Sequence, residues 1–85
     1  MPKDLIKKLI IERIKELEES LTNELVTILS GYVVNIILPE VKKRYPHENI
    51  LKAHEQALNE LEKEGFEIIG AQDLNMYIIK TKKQD

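Results

Sequence analysis

The chain contains no cysteine and no tryptophan, one phenylalanine and three tyrosines. Without cysteine there is no disulfide framework, and the ligand set of a zinc finger is missing as well. The absence fits a reducing compartment. Glycine and proline number only three each, and the glycines are not spaced to cradle a phosphate. Long apolar runs are also missing. The longest, Val33-Val34 and Ile36 to Leu38, is broken by Asn35 and falls far short of the roughly 20 residues that span a bilayer. The opening MPKDLIKKLIIERIKELEES interleaves apolar residues with charges. It has neither the apolar core nor the cleavage site of a signal peptide, so a cytoplasmic protein with no membrane partner is expected.

A strong excess of positive charge is lacking too. The formal net charge is −2, which is not the footprint of an indiscriminate nucleic-acid binder, so any such role must rest on local patches. One third of the residues are charged, and the weight of Lys, Glu and Ile leans toward thermophile composition. With 85 residues, one domain is expected. A domain of this size buries only about 60–65% of its unfolded surface, so tight packing or a second copy has to make up the stability.

What is present is organised by period. Residues 4–19 read as a helix, with Leu5, Ile6, Leu9, Ile10, Ile14 and Leu17 at three- and four-residue spacings. Their arc of roughly 180° exceeds the ~100° that one contact surface needs. A helix sunk deep in its own core is one reading; with so short a chain, a homodimer through Leu5, Ile6, Ile10, Ile14 and Leu17 is expected. Ser20, Thr22 and Asn23 can cap a second helix over 23–30 that Gly31 ends. The rival is a single helix over 4–30, because the apolar phase runs on through Leu21, Leu25 and Ile28. The β-branched and aromatic residues of YVVNIIL, 32–38, suit a strand. Pro39 then opens a short helix that Pro46 closes. Residues 48–64 read as the clearest helix, its apolar face made of Ile50, Leu51, His54, Ala57, Leu58 and Leu61 and its stop supplied by Gly65. Strands over 66–69 and 76–80, joined through GAQDLN, form a hairpin.

From residue 32 onward the stretch VKKRYPHENILKAHEQALNELEKEGFEII, followed by MYIIKT, resembles a winged-helix domain. The resemblance rests on Ala57-Leu58, Leu61, Glu64-Gly65 and Phe66. In these positions a small residue permits close helix approach, two leucines fill the core, and a glycine turns the chain into the wing. The resemblance implies an α+β winged helix-turn-helix core over 32–83, preceded by a helical dimerisation segment over 1–31. Two departures stand out: the turn YPHEN is longer than the tight form, and the first strand is longer than usual for the fold. The alternative layout is β-α-β-β, with YVVNIIL as a central strand and the helix packed on a three-stranded antiparallel sheet.

On a helical wheel of 48–64, Asn49, Lys52, Gln56, Asn59 and Lys63 line the crest opposite the apolar stripe. Glu55 and Glu62 lie on one flank and Glu60 on the other. Asn and Gln can bond adenine edges in pairs, while Lys suits guanine or phosphate. In a winged helix this would be the recognition helix. Lys42, Lys43 and Arg44 on the short helix, and Lys80, Lys82 and Lys83 at the end of the wing, would then contact phosphates, which position the protein without reading sequence. A solvated helix face is the plain alternative, and the flanking glutamates favour it because they repel phosphate. Lys7 and Lys8 read as ordinary surface, and His54 reads as a packed histidine.

His47 and His54 lack the spacing of a helical metal site. No nucleophile stands beside a base, so neither an enzyme nor a metal or cofactor is expected. The sequence thus points to sequence-selective binding of double-stranded DNA by a small transcriptional regulator. A protein-interaction module, or a small α+β domain with no nucleic-acid role, is the alternative.

Overall fold

The computed structural model describes residues 1–20, 26–70 and 77–81. It is a small α+β fold in which helical stretches alternate with a three-stranded antiparallel sheet. Helix α1 (Pro2–Ser20) leads into strand β1 (Val26–Leu29). A helical turn, α2 (Ser30–Tyr32), then runs through a π-helical segment (Val33–Ile37) into α3 (Leu38–Arg44). After a short turn come α4 (Ile50–Lys63), β2 (Glu67–Ile69) and β3 (Ile78–Thr81). The strands lie in the order β1-β3-β2. Ile79 sits in the middle strand, opposite Ile28 on one side and Ile68 on the other.

Two expected elements are corrected. Residues 26–29, expected to be helical, form β1, so neither a second helix over 23–30 nor a single helix over 4–30 is present. Residues 32–38, expected to be a strand in both the winged-helix and the β-α-β-β layouts, are helical; the central strand is β3. The reason is packing. Val33, Ile37, Leu38 and Val41 fall on one side of the helical run and are buried. Burying such a side chain stabilises by about 1.5–3 kcal/mol, whereas a β-branched residue loses only some tenths of a kcal/mol in a helix. Pro39 follows the π-helical widening. It has no N–H to donate, and its ring collides with the carbonyl four residues back. The wider register, seen in the Leu38 N–H on the Val33 carbonyl, ends directly before this residue.

Helix α4 is bounded as its sequence predicts. The Asn49 side chain accepts from the Lys52 N–H at 3.1 Å, an N-cap that satisfies one orphan donor of the first turn. At the far end the Gly65 N–H donates to the Glu62 carbonyl (3.1 Å) and the Phe66 N–H to the Leu61 carbonyl (3.0 Å). These two bonds make a Schellman stop, and Gly65 supplies the positive φ of 105° that it needs. The buried side of α4 is Ile50, Ala53, His54, Ala57, Leu58 and Leu61. Leu51, expected on that side, is exposed instead, and Ala53 takes its place.

Among the described residues, helices and sheet share one core. Ile6, Ile10 and Ile14 of α1 are buried together with the α4 residues, Val33, Val41, Tyr77 and Ile79. The expected boundary between 31 and 32 falls within α2, and α1 shares its core with residues on the far side of that boundary. The residues expected at a homodimer contact lie in or against this core. Ile6, Ile10 and Ile14 already lie within the core of their own chain, and Leu5 and Leu17 are half-buried against it. The broad apolar arc of α1 is taken up in covering α4 and β1.

Replacing Ile10 with Ala is expected to lower unfolding stability by about 2–5 kcal/mol. The urea midpoint should stay independent of protein concentration, since an interface role would make it rise with concentration. Urea titration at two widely separated concentrations checks this.

Candidate nucleic-acid interface

The outward side of α4 carries Lys52, Gln56, Asn59 and Lys63, all exposed. The burial of the opposite side holds the helix in place, so this ridge is presented rather than covered. Asn49 is exposed but differs from the other four. Its carboxamide oxygen accepts from the Lys52 N–H in the cap, which fixes the direction of the side chain and leaves one lone pair and the amide N–H groups for other partners.

The acidic residues of α4 divide into two groups. On the side facing α1, Lys3 pairs with Glu60 at 2.6 Å. Lys7 reaches Glu60 at 3.0 Å and also bonds Glu64. The hydrogen bonds from Lys3 and then Lys7 hold the Glu60 carboxyl below the usual carboxylate range. The same contacts raise both ammonium groups: Glu60 acts on Lys3, and Glu64 followed by Glu60 acts on Lys7. Lys7, expected to be plain surface, is thus part of a clasp that neutralises acid beside the ridge. On the other flank Glu55 and Glu62 are exposed, and Leu51 is 67% exposed near the start of the helix.

The basic cluster of α3 is exposed as expected. Lys43 lies 3.9 Å from Glu40. Among the described residues, no ion-pair partner lies within reach of Lys42, Arg44, Lys52 or Lys63. Lys42, Lys43 and Arg44 also occupy the last turn of α3, where cations complement the helix dipole. Lys80 has a different setting from the one expected. It lies within β3, opposite Glu67 on one side and Thr27 on the other, and it is half-buried. Opposite charges facing each other across strands contribute roughly 0.2–1 kcal/mol to a sheet where the side chains meet. Lys82 and Lys83 lie outside the described residues.

A shallow cleft of about 230 Å³ runs between the start of α1 and the first turns of α4, and Lys3, Asn49, Lys52, Ala53 and Gln56 contribute to its walls. Among the described residues, no helix is long and apolar enough to cross a membrane. No group of three His, Asp or Glu side chains among them is placed to hold a metal ion.

Beneath the ridge, His54 is fully buried, and its Nε2 lies 2.6 Å from the Tyr77 hydroxyl. Its Nδ1 is buried without a hydrogen-bond partner. Placing the one ring proton on Nε2, donating to Tyr77, leaves a bare lone pair at Nδ1 rather than an unpaired N–H. Burial lowers the His54 pKa and pushes the Tyr77 phenol above the usual tyrosine range. His54 is thus the packed histidine its position on the apolar stripe predicts. The backbone carbonyl of Tyr77 also accepts from the Ser30 N–H at 3.0 Å.

No family model, curated protein or solved structure matches the chain.

The folded state resists protonation of His54, whereas the unfolded chain takes up the proton near pH 6.5. The unfolded state therefore binds more protons below that pH. The stability contributed by neutral His54 is present above pH 6.5 and is lost as pH falls through the depressed folded-state value. The slope is at most about 1.4 kcal/mol per pH unit. In His54→Gln that slope should vanish between pH 6.5 and 5. Urea unfolding of both proteins across this range measures it.

Proposed function

We propose that the chain binds double-stranded DNA with sequence preference, as a small winged-helix transcriptional regulator in which α4 is the recognition helix. The observation that carries the reading is the exposed Lys52, Gln56, Asn59 and Lys63 ridge on a helix whose opposite side is buried. The order of elements supports it. Helix α3 and helix α4 are joined by a five-residue turn, 45–49, and followed by a hairpin whose second strand pairs back onto β1. A helix-turn-helix followed by such a hairpin is the winged-helix layout, and in helix-turn-helix proteins the second helix enters the major groove.

Electrostatics supports the same face. The flanking glutamates are the main argument against DNA, and one of them, Glu60, is engaged by lysines of α1, as is the neighbouring Glu64. Lys42 and Arg44 are free to meet phosphates at the end of the preceding helix. Gln56 has both an acceptor and donors for an adenine edge, and so does Asn59.

A protein-interaction role is the second reading. It is favoured by the net charge of −2 and by the outer face of the sheet, where exposed Ile69 lies opposite half-buried Ile78.

Selection from a random duplex pool, followed by a salt titration of the enriched sequence, tests the proposal. Affinity should fall steeply with salt as counterions are released. Replacing Gln56 and Asn59 with Ala should relax base preference, at about 1–3 kcal/mol for each paired bond removed. Replacing Lys42 and Arg44 with Ala should weaken every sequence alike and reduce the salt slope by about 1 for each. If no duplex is retained even at low salt, the DNA reading fails and the protein-partner reading takes its place.

A further inference from the structure

Leu51 is the exposed apolar side chain that core packing leaves unexplained on α4. It lies in the first turn, two residues after the Asn49 cap and next to Lys52. Ile50 on one side and Ala53 on the other point inward, and Leu51 does not. Glu55 is one helical turn further on, so the two side chains are neighbours along the axis, and both are exposed.

That pairing restricts what this flank can meet on a duplex. Glu55 repels phosphate, which disfavours placing this flank along the sugar-phosphate backbone. Leu51 and Glu55 can lie against base edges, where a carboxylate accepts from an exocyclic amine and an apolar side chain contacts the one apolar group in the major groove, the thymine methyl. The first turn of a recognition helix is also the part that reaches deepest toward the bases.

We propose, resting on the DNA-binding reading above, that Leu51 is a specificity-determining residue that packs against the C5 methyl group of a thymine in the major groove. The ligand is then a duplex with thymine at the position facing the start of α4. Its recognition there is by apolar contact rather than by hydrogen bond. This accounts for an exposed leucine in a place where a polar residue would serve solvation better.

The test uses the full chain and the duplex enriched from the random pool. Each thymine is replaced in turn by deoxyuridine, which keeps the Watson–Crick edge and removes only the methyl. At one position the wild-type affinity is expected to fall about fourfold, the transfer value of one buried methyl-sized group. Leu51→Ala keeps the fold, because the side chain is exposed and Ala is the better helix former. It should lose a similar factor on the thymine duplex and bind the thymine and deoxyuridine duplexes equally. An enriched duplex at which no thymine-to-deoxyuridine change separates wild type from Leu51→Ala overturns the Leu51 assignment and leaves DNA binding standing. A pool with no enriched duplex overturns DNA binding itself, and the Leu51 assignment with it.

Discussion

The apolar side of α4 needs cover, and no single neighbour supplies all of it. Ile50, Ala53, His54, Ala57, Leu58 and Leu61 share one core with Ile6, Ile10 and Ile14 of α1, with Val41 of α3, and with Tyr77 and Ile79 beside and within β3. Ala53 and Ala57 matter because a small side chain lets neighbouring backbones come close. Once α4 is held on that side, its other side is necessarily presented outward. The fold and the candidate interface therefore follow from the same burial, and a side chain that loosens the one disturbs the other.

The charges around α4 follow from the same arrangement. Helix α1 is there to bury isoleucines, yet its intervening lysines land on Glu60 and Glu64. Surface ion pairs of this kind add little to stability. Their effect here is on the electrostatic profile of α4. The flank beside α1 becomes nearly neutral, the ridge carries Lys52 and Lys63, and the far flank keeps Glu55 and Glu62. A helix that is acidic by composition thus offers a surface graded from basic to acidic across its width.

Much of this was legible locally. Helix α4 was, because its cap at Asn49, its apolar spacing and its stop at Gly65 all agree, and agreement between levels is what makes a segment readable. The hairpin was legible from β-prone residues on both sides of a polar loop. Strand β1 was not, because Leu25 and Ile28 continue the apolar phase of α1, while the partner that makes 26–29 a strand lies near the other end of the chain. The helical state of Val33–Ile37 was hidden by β-branched residues whose burial outweighs their propensity. In the candidate site the ridge came directly from the wheel. The cap and the base reader both call for an Asn, so Asn49 was open to two roles. The partners of Lys7 were out of reach of sequence reasoning, since only the tertiary fold brings α1 alongside Glu60 and Glu64. Leu51 lies at the margin of the apolar stripe, where a wheel cannot decide between inside and outside.

Tyr77 has a mechanical consequence. Its hydroxyl meets His54 on α4, and its carbonyl takes the first amide of the helical run that ends in α3. The base of the hairpin is thus pinned to both arms of the helix pair, and a tilt of one is transmitted to the others. Among the described residues, the start of β3 and the buried side of α4 are therefore held to one another through a single tyrosine, its side chain on one helix and its backbone on the other.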